Sequence, residues 1–545
     1  MDPASATYKL FDANCLLGRH MRLQANQPHT AADLLADMDH IGVSEALVLD
    51  CLSRENHPIM GNERILEFSA DQPRLHPAWA VMPHAPDDEQ PQGKDLLDAM
   101  REHHVGALFL FPEQYNFTLS DWSVDSFLEP LAAVGVPLFI NYNEVGQPMP
   151  WDQTDWDPVV ALCKRFPNLP IIVSENRMRR SNRQIYRALE TCPNLRIELS
   201  GYWLHRGIEY ITETFGAHRL IYGSNWPHHG HGDTTCTLTT ADISDQDKRL
   251  IAGDNLRALI AWCDIEHPDV SLPDPADEFV RFGQTGVRPD DMTFADNHGH
   301  MGGLACHYHL PNGTLDGIVA DQERFGIEKS IIFSFSGIFS DEQPGNDIVA
   351  QAVAAHPDFY VGLTMLNPSR GEDMMLAELE RGKAMGLRGV KLIPTYQGYP
   401  EEGPSIDIAC QWADEQGLIM LNHHWGSAEQ MERLVSTYPN VCFMTGHTTT
   451  AYAHVMKRYD NLYVCSCPLI PPSACADVVS AIGADRLMFG SDLQDLPIAW
   501  GLGPIVFSRI PPEDKKMILG DNLRRVLDQY GYTASQPVAA DRPGS

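Results

Sequence analysis

Short apolar runs rich in β-branched residues recur along the chain, at 46–49, 137–140, 171–173 and 220–222, for example. Longer stretches between them carry apolar positions at helical spacing. That rhythm predicts β-strand and α-helix in alternation, and hence a parallel sheet with helices packed outside it. Around residues 264–292 the rhythm lapses into a Pro- and Asp-rich stretch without a sustained apolar period, which predicts a linker. The last residues, 534–545, read as a disordered tail.

The pattern on the two sides of that stretch is the same pattern. DMDHIGVSEALVLD, with Gly42, reads like DQERFGIEKSIIFS, with Gly326. Gly106 in VGALFLFP matches Gly389 in RGVKLIP. PNLPIIV from Pro167 matches PNVCFMT from Pro439, RLIYGSN matches RLMFGSD, and GDNLRAL matches GDNLRRV. The spacing between partners shrinks only in small steps, as expected of a duplicated domain with trimmed loops. The expected fold is therefore α/β, two tandem (β/α)8 barrels: 1–264, a linker over 265–292, a second barrel over 293–533, and the tail over 534–545.

Composition narrows the partners. At 545 residues, 43% hydrophobic and 21% charged, the chain has the make-up of a multidomain globular protein. A formal net charge of -33 with no basic stripe argues against nucleic acid or an anionic membrane as partner. Twelve cysteines without C-x-x-C pairs read as buried thiols in a reducing cytosol. An N-terminus lacking an apolar h-region and the absence of a long apolar run complete the expectation of a cytoplasmic protein acting on a small molecule.

Candidate chemistry collects in the second copy, at the ends of the apolar runs, where a (β/α)8 barrel carries its active site. Asp296-Asn297-His298-Gly299-His300 follows the first run; two histidines at i and i+2 on a strand share a face and can meet one cation. Lys391 follows in GVKLIP, His423 and His424 in LIMLNHHWG, His447 in CFMTGH and Asp492 in LMFGSD. A one-residue slip exchanges His423 for His424, so His423 is favoured with His424 as its alternate. Phe333, Phe335, Tyr396, Gln397 and Trp425 are the expected substrate walls, their aromatic character suiting a planar or partly apolar molecule.

With H-x-H after the first strand, His after the fifth, His after the sixth and GSD after the eighth, the second copy resembles the amidohydrolase-related family, and the first copy resembles it more weakly. The resemblance implies that His298, His300, His423 and Asp492 hold a divalent ion, with His447 beside it as acid/base or second-metal ligand and Asp492 as general base. Nitrogen and oxygen ligands suit zinc, with manganese or iron as alternatives. Lys391 is a carbamylated bridge to a second ion, a charge partner for an anionic substrate, or a plain strand-end cation. The activity implied is hydrolysis of an amide, lactone or related bond. Decarboxylation of an aromatic or unsaturated acid is the alternative, disfavoured because Thr448-Thr449-Thr450 supplies no acid after His447. A non-catalytic ligand-binding protein is the third reading.

The repeat puts Asn14, Leu16, Leu108, Glu175 and Asn225 where the second copy has His298, His300, Lys391, His447 and Asp492, and Asn141-Tyr142-Asn143 where it has the fifth-strand histidines. Leucine cannot ligate and an amide is a poor ligand, so the first copy is expected to hold no metal. His228, His229 and His231 in WPHHGHG are read as solvent-facing. The expected role of the first barrel is to dock on the second as an internal pseudo-dimer, with Arg177, Arg179, Arg180 and Arg183 as candidates to reach its active-site mouth. A homodimer of the whole chain is a further expectation.

Overall fold

The computed structural model of the chain describes residues 8–83, 89–143, 154–175, 181–303 and 309–532. Of the sequence expectations, Arg177, Arg179, Arg180 and the tail fall outside these residues. The first copy contributes β1 (Leu10–Leu17), β2 (Val43–Asp50), β3 (Leu75–Pro77), β4 (Trp79–Ala80), β5 (Leu108–Leu110), β6 (Leu138–Asn141), β7 (Ile171–Ser174), β8 (Leu195–Glu198) and β9 (Leu220–Ile221). The second contributes β10 (Phe294–Met301), β11 (Ile327–Ser334), β12 (Tyr360–Gly362), β13 (Thr364–Met365), β14 (Gly389–Leu392), β15 (Ile419–Asn422), β16 (Cys442–Thr445), β17 (Leu462–Cys465) and β18 (Leu487–Met488).

Every pair is parallel and in sequence order within its copy. The pairs β3/β4 and β12/β13 are each one strand broken at a single residue. Backbone bonds carry pairing across the break, as in Ala78 N–H to Val48 at 2.9 Å and Leu363 N–H to Ile332 at 2.9 Å. The last strand then returns to the first: Ala13 N–H donates to Tyr222 at 3.0 Å, and Asn297 N–H to Phe489 at 2.9 Å. Closure leaves no unpaired edge among the described strands, and each copy is a (β/α)8 barrel.

Local sequence explains the helix ends. Thr30 and Asp33 form a reciprocal capping box ahead of the helix Ala31–Ile41, which stops at Gly42 with φ 97°. Its counterpart Leu315–Phe325 is capped by Thr314 and stops at Gly326 with φ 74°. Both stops need a left-handed residue, which glycine supplies without strain.

Inward strand residues fill the barrels. In the second copy they include Ala295, Ile331, Phe333, Leu363, Leu421 and Met444; in the first, Phe11, Ala13, Leu47, Phe109, Phe111 and Phe139. Strand register also corrects one equivalence. Leu108 pairs with Leu138 as Val390 pairs with Met420, so the residue in the place of Lys391 is Phe109 rather than Leu108. Phe109 stacks on Phe139 with centroids 4.6 Å apart. The match of Gly106, ahead of β5, to Gly389, the first residue of β14, had misled by one position, because loops absorb a deleted residue and strand registers do not.

The connecting segment is also more than a linker. Within it, Glu278–Thr285 is a helix that buries Phe279, Val280, Phe282 and Gly283 against both copies. The helix His231–Thr239 of the first copy crosses Ile498–Val506 of the second so closely that a Cβ on Gly503 would lie 2.2 Å from the Gly232 carbonyl oxygen. Trp203 meets Trp500 at 4.9 Å, and ion pairs Arg509–Asp37 at 2.7 Å and Arg206–Asp321 at 2.8 Å flank the contact.

Beneath the first barrel, Glu45 accepts from His76 at 2.8 Å, His267 at 2.6 Å and Arg257 at 2.6 Å, tying the connecting segment to the barrel floor. Burial alone would raise this carboxyl, but the three donors outweigh it and hold it at about 2, below its ordinary 4.5. A depressed carboxylate gives stability that is present above the ordinary value and is lost as pH falls through the folded one. Glu45→Gln is therefore expected to cost on the order of 2–3 kcal/mol at neutral pH. Urea melts of both proteins should show the deficit closing between about pH 4.5 and about pH 2.

Candidate metal centre

The predicted ligands converge at the C-terminal end of the second barrel. His298 and His300 lie on β10 with 1% and 5% exposure. Asp492 follows β18 at φ 57°, a left-handed bend that turns its carboxylate back over the barrel mouth. Asp492 Oδ1 lies 3.2 Å from His298 Nε2 and 3.5 Å from His300 Nδ1. His423, after β15, and His447, after β16, have ring centroids 4.0 Å apart, and the His447 ring is 6.0 Å from that of His298. A Cβ built on Gly446 would stand 3.1 Å from His423 Cα, 3.2 Å from Lys391 Nζ and 3.3 Å from His298 Cε1. Only glycine lets those three approach so closely.

These separations fit an ion. Ligand atoms about 2.1 Å from a tetrahedral centre stand roughly 3.4 Å from one another, and the two Asp492 contacts bracket that edge. His300 Nδ1, His423 Nδ1 and Lys391 Nζ are all buried without a hydrogen-bond partner, a cost of about 1–3 kcal/mol each that a ligand would remove. Electrostatics prepare the donors. Burial first, then the Lys391 ammonium, lowers His298 to about 3, and burial lowers His300 and His423. Burial also takes His447 to about 4. The imidazoles are thus neutral and free to ligate. Burial alone would raise Asp492, but His298, then His300 and His447, hold it well below the carboxylate range. Burial brings Lys391 down to about 7; its Nζ stands 4.1 Å over the Phe333 ring.

The structure also sorts the other candidates. His298, His300 and Asp492 form the closest group, with His423 and His447 beside them. His424 is exposed at the rim, its ring 4.9 Å from that of His423, so the turn after β15 points His423 and not its neighbour at the centre. Phe333 lies beneath the imidazoles, 5.0 Å from His298, and Phe335 is 5.4 Å from His300. Tyr396, 46% exposed, stands edge-on to His423 at 5.5 Å. Gln397 donates to the Gly337 carbonyl at 3.0 Å. Trp425 is a correction: at 0% exposure, its indole N–H donates to Met444 at 2.9 Å and its ring packs on Phe443, so it belongs to the core outside the barrel. Phe339, unnoticed in the sequence, is 42% exposed and links Phe335 at 5.7 Å to Tyr396 at 5.5 Å. Asp495, also missed, bears on His300; its signal was a second aspartate three positions past Asp492.

In the first copy the corresponding space is hydrogen-bonded shut. Asn14 Nδ2 donates to Ser174 Oγ at 3.2 Å and to Glu198 Oε2 at 3.3 Å. Glu198 also accepts from Ser174 Oγ at 2.7 Å and from the Ser200 backbone N–H at 2.6 Å. His229 and His231 are 5% and 1% exposed, so the expectation that they face solvent is wrong. The helix that His231 begins is pressed between the two copies, and its first residues are covered by both.

No helix among the described residues is long and apolar enough to cross a membrane, and the described cysteines are buried free thiols. Among solved structures, similar chains include a TIM-barrel protein from Bordetella bronchiseptica (16% identity, 44% of this chain and 100% of that one, TM-score 0.37). Two others are 5-carboxyvanillate decarboxylase from Sphingomonas paucimobilis (16%, 43% and 99%, TM-score 0.34) and 4-oxalomesaconate hydratase from Rhodopseudomonas palustris (16%, 44% and 96%, TM-score 0.34). No curated protein sequence matches the chain. The amidohydrolase family pattern matches it twice, over residues 21–260 and 321–529, well over half its length and once in each barrel. The chain belongs to the amidohydrolase family, as a metal-dependent enzyme built on two tandem barrels.

Proposed function

We propose that the second barrel hydrolyses an amide, lactone or related bond of a small, partly planar molecule. The observation that carries this reading is the meeting of neutral imidazoles His298 and His300 with ionised Asp492 at ion-coordinating separations. His298, His300, His423 and Asp492 would hold a divalent ion, zinc by ligand type, with manganese or iron as alternatives. When bound, such an ion supplies Lewis-acid polarisation of a carbonyl and acidification of water.

The chain's own residues supply the rest. Asp492 takes the proton of the attacking water on a carboxylate oxygen and passes it to the leaving atom. His447, neutral and half-buried beside His423, is placed to hydrogen-bond the developing charge. Phe335, Phe339 and Tyr396 make an aromatic wall from His300 to His423, suited to a flat face. Lys391, fully buried and brought down to about 7, would stand beside a bound dication as the free amine or as a carbamate rather than as an ammonium. As a carbamate, Lys391 would offer oxygen ligands for a second ion, with His447 as a nitrogen ligand beside it. Metal content measured with and without bicarbonate tests this: an added equivalent that depends on bicarbonate and that Lys391→Met removes supports the carbamate, and a metal content unchanged by bicarbonate refutes it.

The same aromatic wall favours one other reading, decarboxylation of an aromatic acid. Product analysis separates the two. Hydrolysis incorporates oxygen from labelled water into the product, whereas decarboxylation releases carbon dioxide and leaves solvent deuterium on carbon. Incorporation of labelled oxygen supports the proposal; carbon dioxide release without it overturns it.

We read the first barrel as a partner without a catalytic ion in an internal pseudo-dimer, and the whole as a cytosolic protein. Its reach towards the second active site is supported by Asn182, which donates to the His309 carbonyl at 2.7 Å and accepts from the His309 N–H at 3.1 Å. Arg183 follows at once, close enough to lower the His309 pKa after burial has done so.

A further inference from the structure

Among the described residues, three groups of metal-ligating side chains come within coordinating distance of one another. The first is the centre already described. In the second, Glu45 meets His76 and His267 at 2.8 and 2.6 Å, which are ordinary hydrogen bonds, and Arg257 pairs with the same carboxylate. No ion is needed there, and the arginine would repel one. The third group is Asp12, Cys15 and His231 of the first copy, and it differs from the second in each of these respects.

We propose that Asp12, Cys15 and His231 form a structural zinc site that braces the first barrel against the second. His231 Nε2 lies 3.3 Å from Asp12 Oδ2 and 3.9 Å from Cys15 Sγ. With zinc bond lengths of about 2.0–2.1 Å to N and O and about 2.3 Å to S, these edges subtend roughly 105° and 125°, near tetrahedral. The three residues are 0%, 1% and 1% exposed, yet Asp12 Oδ2, the oxygen that faces His231 Nε2, has no hydrogen-bond partner. The centre in the second barrel shares this arrangement: a buried carboxylate oxygen of Asp492 stands 3.2 and 3.5 Å from two buried imidazole nitrogens. Asp12 Oδ1, by contrast, is fixed by the backbone N–H groups of Asn14 at 2.9 Å and Ser224 at 3.0 Å, which aims Oδ2 at the other two residues.

The triad lies on the outer side of β1. Cys15 packs in the layer that holds Trp226, not among the inward residues Phe11 and Ala13. It is also not inherited in common: the second copy has Asp296, Gly299 and Ile498 at the equivalent positions, and Asp296 Oδ2 there accepts from Ser491 Oγ at 2.5 Å. A thiolate, an imidazole and a carboxylate suit zinc, and the two negative ligands cancel its charge in a dry site. Without an ion, burial and then Asp12 keep the Cys15 thiol protonated; binding expels that proton. His231 also lines the cavity of about 150 Å³ between the copies, which offers an entry path. The bond network joins β1 to the helix His231–Thr239, the element of the first copy that crosses Ile498–Val506.

Cobalt makes the test selective, because only a thiolate ligand gives a sulfur-to-cobalt charge-transfer band in the near ultraviolet. Full-length protein grown in cobalt-supplemented minimal medium should show the band. His298→Ala, which empties the other centre, and Cys465→Ala, which removes the thiol beside His298, should both retain it. Cys15→Ala and His231→Gln should abolish it while circular dichroism shows them folded; should Cys15→Ala fail to fold, Cys15→Ser decides the matter in the same way. With the other centre emptied by His298→Ala, chelation should then lower the Tm of that protein but not that of the His298→Ala, Cys15→Ala double variant. A parent without the band, a band that survives loss of Cys15, or one that disappears with Cys465→Ala overturns the proposal. None of these readouts depends on turnover in the second barrel.

Discussion

Replacing His298 by alanine is expected to remove the divalent ion from the second barrel and to abolish measurable turnover, with the fold intact. His298 is buried beside Asp492 and carries a neutral imidazole, so the change deletes a ligand and leaves Asp492 without its nearest nitrogen. Asp492→Asn separates binding from catalysis. An amide oxygen still ligates weakly, but it cannot accept the water proton at neutral pH. A fall in kcat of about 10³-fold is expected even under saturating metal, in line with the loss of a positioned general base. Elemental analysis and single-turnover rates on both variants check the pair. Full activity in Asp492→Asn would assign the proton to another group, of which His447 is the nearest candidate.

Trp425→Ala is expected to lower stability by about 3–5 kcal/mol, because the indole is fully buried against Phe443 and its N–H is used by the Met444 carbonyl. Its KM at a temperature where it remains folded should match the parent. Tyr396→Ala should do the reverse. At 46% exposure the ring holds little of the core, but it faces His423, so its loss should raise KM several-fold with the urea midpoint unchanged. An unchanged stability in Trp425→Ala would return that residue to the substrate wall where its place after His424 had first suggested it.

The error over Trp425 is instructive about where sequence reasoning runs out. Its neighbours His423 and His424 signalled a strand end, and aromatic residues near strand ends are natural pocket walls. Which way a side chain points after a strand ends is set by the turn that follows, here one that aims His423 inward, His424 to the rim and Trp425 back into the helix layer. The reading of His231 as solvent-facing failed for the same reason: a histidine in a Gly-rich loop looks exposed until another barrel covers it. Phe339 went unnoticed because it becomes a wall only beside Tyr396, which is distant in sequence.

The sequence by itself determined the duplication, the alternation of strand and helix, and the ligand types at successive strand ends of one copy. Each of these is a local or periodic property, written in side-chain polarity and in glycine positions. Tertiary structure alone decided that Phe109 of the first copy holds the place that Lys391 has in the second, that the corresponding centre of the first copy is sealed by Glu198, and that the connecting segment carries a helix shared by both copies. It alone also brought Asp12, Cys15 and His231 together, residues from the two ends of a barrel's chain. Those outcomes depend on register and on contacts between distant segments, which barrel closure and the docking of the two copies settle only when the whole chain packs.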